Sequence, residues 1–130
     1  MIKVTTCIGM TLFFLLFASL ASAKNLHLEK FYQEKWCAAN GGRAEVVLPD
    51  NTRCDCLTSS HAVEFDFGPK WSESIGQSLH YSLLTGKKAG IVLILEKPDD
   101  DRYWDRLNRI IKHFRLPIDT WKTGPPGGPD

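Results

Sequence analysis

The sequence predicts an α/β fold in which a mixed four-stranded sheet is flanked by helices, in the order αβββαβα. Short segments with alternating apolar residues and intervening turn residues fill positions 44–67, as is typical of antiparallel strands. Residues 26–40 and 70–84 have apolar side chains at three-to-four spacing, which indicates amphipathic helices. The continuous apolar run at residues 90–95 indicates a strand that is covered on both faces.

The first half of the chain is predicted to form one helix and three strands. The helix at residues 26–40 ends at Gly41 and Gly42, because glycine readily adopts the conformation that terminates a helix. Strands at residues 44–48 and 53–57 form a hairpin, since Pro49, Asp50, Asn51 and Thr52 between them are turn residues. A third strand is predicted at residues 61–67.

The second half is predicted to contain a helix, a strand and a last helix. Gly68 and Pro69 end the third strand and open the helix at residues 70–84. After the apolar strand, three aspartates at residues 99–101 favour the start of the last helix, which runs to Phe114, because acidic side chains stabilise a helix N-terminus. The Pro- and Gly-rich residues 122–130 are predicted to be a disordered tail, so that residues 24–121 form a single domain.

Residues 1–23 have the pattern of a secretory signal peptide. Lys3 supplies a positive charge, residues 8–20 are apolar, and Ala21-Ser22-Ala23 is a small-residue cleavage site. This pattern predicts a periplasmic or secreted protein with no stable membrane span after cleavage. The alternative is an uncleaved anchor, although the apolar run is shorter than the roughly 20 residues that a spanning helix needs.

The charge balance excludes a general nucleic-acid-coating protein. The whole chain has a formal net charge of +1, and removal of residues 1–23 leaves equal numbers of acidic and basic side chains. Coating proteins are usually strongly basic. Any contact with nucleic acid must therefore come from a local patch.

Three cysteines follow the predicted signal peptide, namely Cys37, Cys54 and Cys56. In an oxidising compartment they allow one disulfide and one thiol. Cys54 and Cys56 are too close along an extended strand to bridge each other easily, so Cys37 can pair with either one. The alternative is that all three are small, buried, reduced residues. A zinc site is disfavoured because no second Cys/His pair has metal-ligand spacing.

Carboxylates are concentrated in the predicted second and third strands. Glu64 and Asp66 share one strand face, because successive side chains alternate between faces. If the two strands pair in suitable register, Asp55 joins them. Three converging carboxylates repel one another unless they are neutralised, and a hard divalent cation with oxygen ligands, Mg²⁺ or Mn²⁺, is a usual solution.

The same residues, in the same order, resemble the PD-(D/E)xK nuclease superfamily, which includes restriction endonucleases and Holliday-junction resolvases. Asp55 is followed by Glu64-Phe65-Asp66, and then by Gln77 and Tyr81 one turn apart on a helix. The resemblance implies a restriction-endonuclease-like fold and a nucleic-acid substrate. It also implies that Asp55 and Glu64 bind the metal and that Gln77 and Tyr81 face the acidic patch.

The resemblance spans residues 29–96 and departs from the superfamily pattern at Asp66, where the superfamily has a lysine. Asp66 is therefore expected to be a third metal ligand. Lys70, four residues later at the start of the helix, is the candidate replacement for the missing lysine, and the alternative is that it is simply solvated. The superfamily often contributes a glutamate from the first helix, for which Glu34 is the first choice and Glu29 the alternative.

The last helix carries a basic stripe of Arg102, Arg106, Arg109 and His113. This stripe either contacts phosphates or is a solvated face that complements the helix dipole.

The sequence thus predicts an exported, metal-dependent phosphodiesterase or nuclease. The alternatives are a catalytically inactive nuclease-fold protein that binds nucleic acid or a protein partner, and a secreted structural or inhibitory module with a disulfide.

Overall fold

The computed structural model describes residues 24–127, so the predicted signal peptide lies outside the described residues. The predicted α/β class is confirmed, since a mixed sheet is flanked by helices. Across residues 24–127, every helix is too short or too polar to cross a membrane. The elements in chain order are α1 (Glu29–Ala39), β1 (Arg43–Val47), β2 (Arg53–Leu57), β3 (His61–Phe67), a 3₁₀ turn (Gly68–Lys70), α2 (Trp71–Thr85), β4 (Lys88–Ile94), α3 (Asp101–Phe114) and β5 (Ile118–Thr123).

The sheet has five strands, so the prediction of four is wrong. Its order is β1-β2-β3-β4-β5, with the first three strands antiparallel and β4 and β5 parallel to β3. The unpredicted strand β5 pairs with β4 from Ile118 opposite Ala89 to Thr123 opposite Ile94. It therefore continues two residues past the predicted domain boundary at residue 121, into the segment predicted to be a disordered tail.

The sheet is the middle of three layers. On one face, α1 packs Tyr32 and Trp36 against a cluster that includes Val63 and Phe65 of β3. On the other face, α2 and α3 cover alternate residues of β4, among them Ile91. Because side chains alternate along β3, Glu64 and Asp66 project from the face that α2 and α3 cover.

A disulfide between Cys37 and Cys56 joins the last turn of α1 to β2. This decides between the two pairings that the sequence left open, and the all-reduced alternative is wrong. Cys54 is a buried free thiol. Gly42 passes directly over the disulfide, where a Cβ atom would lie 2.5 Å from Cys56 Sγ. A larger residue therefore does not fit at this position without a shift.

Candidate functional site

The centre of the sheet is irregular at Asp55. Strands β1 and β2 pair at Ala44 with Cys56 and again at Val46 with Cys54, but the intervening Glu45 and Asp55 are not paired. Strands β2 and β3 pair at Cys56 with Val63, and the ladder stops before Asp55 and Glu64, which would be the next pair. Strand β2 therefore lacks regular main-chain pairing on both sides at Asp55.

Side chains replace the missing main-chain hydrogen bonds. The Phe65 N–H donates to Asp55 Oδ2 at 2.8 Å. Gln33 of α1, only 2% exposed, donates through Nε2 to the Asp55 carbonyl at 2.7 Å and to Glu45 Oε1 at 2.9 Å. Glu45 itself has φ of 56°, a left-handed conformation that non-glycine residues seldom adopt. Backbone strain of this kind is concentrated at functional sites.

Strand β2 also departs from simple alternation around Asp55. Cys54 packs in a cluster with Ala62 and Tyr81, whereas Cys56 packs on the α1 side of the sheet. Residues two apart on a regular strand would share one face. This departure occurs where the Asp55 carboxyl group lies close enough to Glu64 to raise its pKa.

Asp55 and Glu64 form a buried acidic pair. Glu64 is only 4% exposed. Burial, and then the charge of Asp55, raises the pKa of Glu64 to about 10. Burial also raises the pKa of Asp55, although the hydrogen bond from Phe65 opposes the rise. The two carboxyl groups share a buried site, so burial and the repulsion between them favour a form in which the pair holds a proton.

Asp66 lies near this pair and is 5% exposed. Burial, and then the charge of Glu29, raises the pKa of Asp66 to about 7, while Lys70 opposes the rise. Glu64 Oε2 and Asp66 Oδ2 are buried, and each lacks a hydrogen-bond partner within residues 24–127. Buried polar atoms normally have a partner, so these two oxygens need an explanation.

The structure brings Tyr81 and Glu29 to the same cluster. Tyr81 of α2 is buried, and its burial and the nearby charge of Glu64 raise its pKa. Burial, and then the charge of Asp55, raises the pKa of Glu29 to about 7. Glu29 was the alternative choice from the first helix. Glu34, the first choice, is instead exposed and pairs with Lys30 at 3.4 Å.

Lys70 lies close enough for its charge to lower the pKa values of both Glu29 and Asp66. It is exposed, and within the described residues it forms no ion pair shorter than 4.0 Å. The lysine is thus near the carboxylates without contacting them directly.

The structure does not bring Gln77 to the site. Gln77 is exposed, and the buried positions of α2 are Ser74, Ser78 and Tyr81. The serine hydroxyls bond to carbonyls of their own helix, Ser74 to Trp71 at 2.6 Å and Ser78 to Ile75 at 3.0 Å. Tyr81 therefore lies on the buried side of α2 and Gln77 on its exposed side.

The donor chemistry of the carboxylate cluster fits a hard cation, because Glu64 and Asp66 each offer an unpartnered buried oxygen. Within residues 24–127, however, no three His, Cys, Asp or Glu side chains are already arranged as a ligand set. Cavities of about 670 and 200 Å³ lie beyond the C-terminal ends of β4 and β5 and beside α1, away from the carboxylates. Glu64 and Asp66 are 4% and 5% exposed, so a substrate contacts their carboxyl groups only after neighbouring side chains move.

Sequence reasoning missed Gln33 and Glu45. Gln33 lies one helical turn before Cys37, on the same face of α1. Because Cys37 forms a disulfide with β2, this spacing could have indicated that Gln33 also faces the sheet. Nothing in the sequence around Glu45 indicates its role, because its left-handed conformation depends on its neighbours in the sheet.

In comparisons with known proteins, the chain matches no family model, no curated protein and no solved structure.

Proposed function

We propose that the protein is an exported, metal-dependent phosphodiesterase with a restriction-endonuclease-like fold, and that it cleaves nucleic acid. The observation that carries the proposal is the buried cluster of Asp55, Glu64 and Asp66 with its two unpartnered oxygens. Burying carboxylates without counter-charges costs several kcal/mol. Side chains with strongly shifted pKa values that stability alone does not explain are typical of functional sites.

In this proposal Asp55, Glu64 and Asp66 hold Mg²⁺ or Mn²⁺. The bound cation would activate water and neutralise charge on the phosphate. Because burial raises the pKa values of both Asp55 and Glu64, a cation would displace a proton from this pair, so binding releases a proton and strengthens as the pH rises. The Phe65 N–H holds the Asp55 carboxylate in place, and Gln33 holds its carbonyl group.

Lys70 supplies the positive charge that the superfamily places at the position of Asp66. Its charge already acts on Asp66 and Glu29, and the flexible lysine side chain can extend toward a bound phosphate. A positive charge there would stabilise the transition state as charge develops on the phosphate. Tyr81, buried on α2, lies near enough to Glu64 for the glutamate to raise its pKa.

A second candidate is a catalytically inactive protein with the same fold that binds nucleic acid or a protein partner. The specific observation that favours it is the aspartate at position 66, with the nearest candidate lysine more than 4.0 Å from any carboxylate within the described residues. Without a correctly placed cation, binding can persist after catalysis is lost.

The test is cleavage of plasmid DNA, single-stranded DNA and RNA by the purified protein, with Mg²⁺, Mn²⁺ or EDTA. We expect cation-dependent cleavage that is abolished by Asp55→Asn and by Glu64→Gln, because each change removes a ligand charge without altering the side-chain shape. Glu34→Gln is the matched control, since Glu34 is an exposed carboxylate on α1.

The outcomes separate the two candidates. Cleavage that survives both substitutions places the activity elsewhere and contradicts the proposal. Absence of cleavage by the wild-type protein with every substrate and cation supports the inactive candidate. Lys70→Ala should lower the single-turnover rate by about 100-fold or more, as the loss of one transition-state charge contact does elsewhere.

A further inference from the structure

Helix α3 presents an exposed basic surface, which we call the α3 basic face. Its members are Arg106, Arg109, Lys112, His113 and Arg115, all of them exposed. Asp105 is the one acidic residue between Arg102 and Arg115. Because the whole chain has a net charge of only +1, the remainder of the chain is net acidic.

The charges of the α3 basic face are not neutralised by carboxylates of the described residues. Within residues 24–127, Arg106, Arg109, Lys112 and Arg115 form no ion pair shorter than 4.0 Å. The helix dipole accounts for cations in the last turn, but it does not account for Arg106 in the middle of the helix. A basic, unpaired surface of this kind attracts phosphates.

Phe114 lies among these cations and is 63% exposed. An exposed aromatic ring beside arginines offers a stacking surface for a nucleobase. A lipid surface fits less well, because the apolar side of α3 is already packed in the core, where Leu107 is fully buried. The helix therefore has no free apolar face to place in a membrane.

The first turn of α3 packs against the turn that follows Asp66. Tyr103, in the first turn of α3, packs so closely on Gly68 that a Cβ atom there would lie 2.8 Å from the ring. Gly68 follows Asp66 by two residues and opens the turn that ends at Lys70. The guanidinium groups of Arg102 and Arg106 lie 4.7 and 5.7 Å from the centre of the Tyr103 ring. Arg102 and Arg106 thus lie around a ring that packs on the turn after Asp66, and Arg102 also pairs with Asp99 at 3.4 Å.

We propose that the α3 basic face binds the phosphate backbone of nucleic acid and guides the strand toward the carboxylate cluster. The proposal rests on the proposed function for its substrate, but binding along α3 is measurable without catalysis. Phosphate contacts position a strand without reading its sequence. We therefore expect binding that depends strongly on salt and weakly on base sequence.

The experiment is fluorescence anisotropy of labelled single-stranded and duplex DNA with the full chain in EDTA, over a series of salt concentrations. The test variant carries Arg106→Gln, Arg109→Gln and Lys112→Gln together. For duplex DNA, losing three phosphate contacts should reduce the slope of log K against log salt by about 2 to 3. Affinity at low salt should fall by about tenfold or more.

The matched control carries Lys30→Gln, Lys35→Gln and Lys88→Gln, which remove the same charge from exposed positions outside α3. It should bind within about twofold of the wild-type affinity, because exposed charges beyond a Debye length are screened. Thermal unfolding of both variants verifies that each is folded.

Several results would overturn the proposal. These are no binding of nucleic acid by the wild type, equal weakening by both variants, or selective binding of anionic phospholipid vesicles with the same dependence on α3. The two proposals fail independently. Binding that depends on α3 without any cleavage would contradict the nuclease proposal and support the α3 basic face as a binding surface. Cleavage with an unchanged KM in the α3 variant would contradict the proposed binding surface and support the nuclease proposal.

Discussion

Raising the pH in the absence of divalent cations should destabilise the folded protein, and Asp66→Asn should remove a large part of the loss. Asp66 Oδ2 is buried without a partner within the described residues, and burial and Glu29 raise the pKa of Asp66 to about 7. The folded protein therefore holds this proton more tightly than the unfolded chain does. The stabilisation that comes from protonated Asp66 is fully present below pH 3.8, which is the ordinary pKa of an aspartate. It is lost as the pH rises through about 7.

The size of the effect follows from the pKa difference. The rise from 3.8 to about 7 corresponds to roughly 4 kcal/mol. Between about pH 5 and about pH 8.5 only the part of the titration from pH 5 to about 7 contributes, roughly 2.7 kcal/mol. Because side chains near the site can relax, we expect about half of this, or about 1.4 kcal/mol. With a urea dependence of about 1–3 kcal/mol per molar, the unfolding midpoint should fall by about 0.7 M.

The assay is urea unfolding followed by tryptophan fluorescence at both pH values, in EDTA, for the wild type and for Asp66→Asn. Both proteins contain the same histidines, so the difference between their pH dependences reports Asp66 together with its repulsion of Glu29. Glu34→Gln, at an exposed carboxylate, should behave as the wild type does. Excess Mg²⁺ should restore the stability of the wild type at high pH, and it should raise the stability of Asp66→Asn by a smaller amount. The reasoning is refuted if the wild type and Asp66→Asn lose equal stability between the two pH values.

Three further predictions concern stability. Reduction of the disulfide between Cys37 and Cys56, 19 residues apart, should lower the free energy of unfolding by about 3 kcal/mol, and a double Cys→Ser variant should not respond to the reductant. Gly42→Ala should cost about 1–3 kcal/mol in urea unfolding, because its Cβ atom would lie 2.5 Å from Cys56 Sγ. Gly76→Ala, at an open position in α2, should instead stabilise by up to about 1 kcal/mol, and a loss at both glycines would contradict the steric argument. Gln33→Leu should lower the thermal midpoint and cost about 1–3 kcal/mol, because it leaves the buried Asp55 carbonyl without its donor, and an unchanged midpoint would show that this hydrogen bond is dispensable.

The local patterns of the sequence were sufficient for most of the fold. Apolar periodicity and turn residues predicted α1, α2 and the first three strands, because each of these elements has one side that must be buried. A continuous apolar run predicted β4, and three aspartates predicted the start of α3. Strand β5 was missed because its sequence, Ile118-Asp119-Thr120-Trp121-Lys122-Thr123, is largely polar. It is held as an edge strand by pairing with β4, and a long-range pairing leaves little trace in the segment itself.

The candidate site was predictable only where it depends on local geometry. Strand alternation alone places Glu64 and Asp66 on one face. The position of Asp55 depends instead on a break in the sheet, on Gln33 and on the left-handed Glu45, none of which a strand pattern contains. Which cysteine bonds Cys37 also depends on how α1 lies over β2.

The hydrogen bond from the Phe65 amide to Asp55 Oδ2 gives the site a natural spectroscopic probe. An amide proton bound to a charged carboxylate resonates at a different frequency from one bound to a neutral carboxyl group, because the bond is shorter and stronger in the charged case. The backbone resonance of Phe65 therefore reports the charge state of Asp55 through one assigned peak in a nitrogen–proton correlation spectrum. Proton loss, cation binding and nucleic-acid binding can each be followed at that peak, with no label attached and no residue of the cluster replaced.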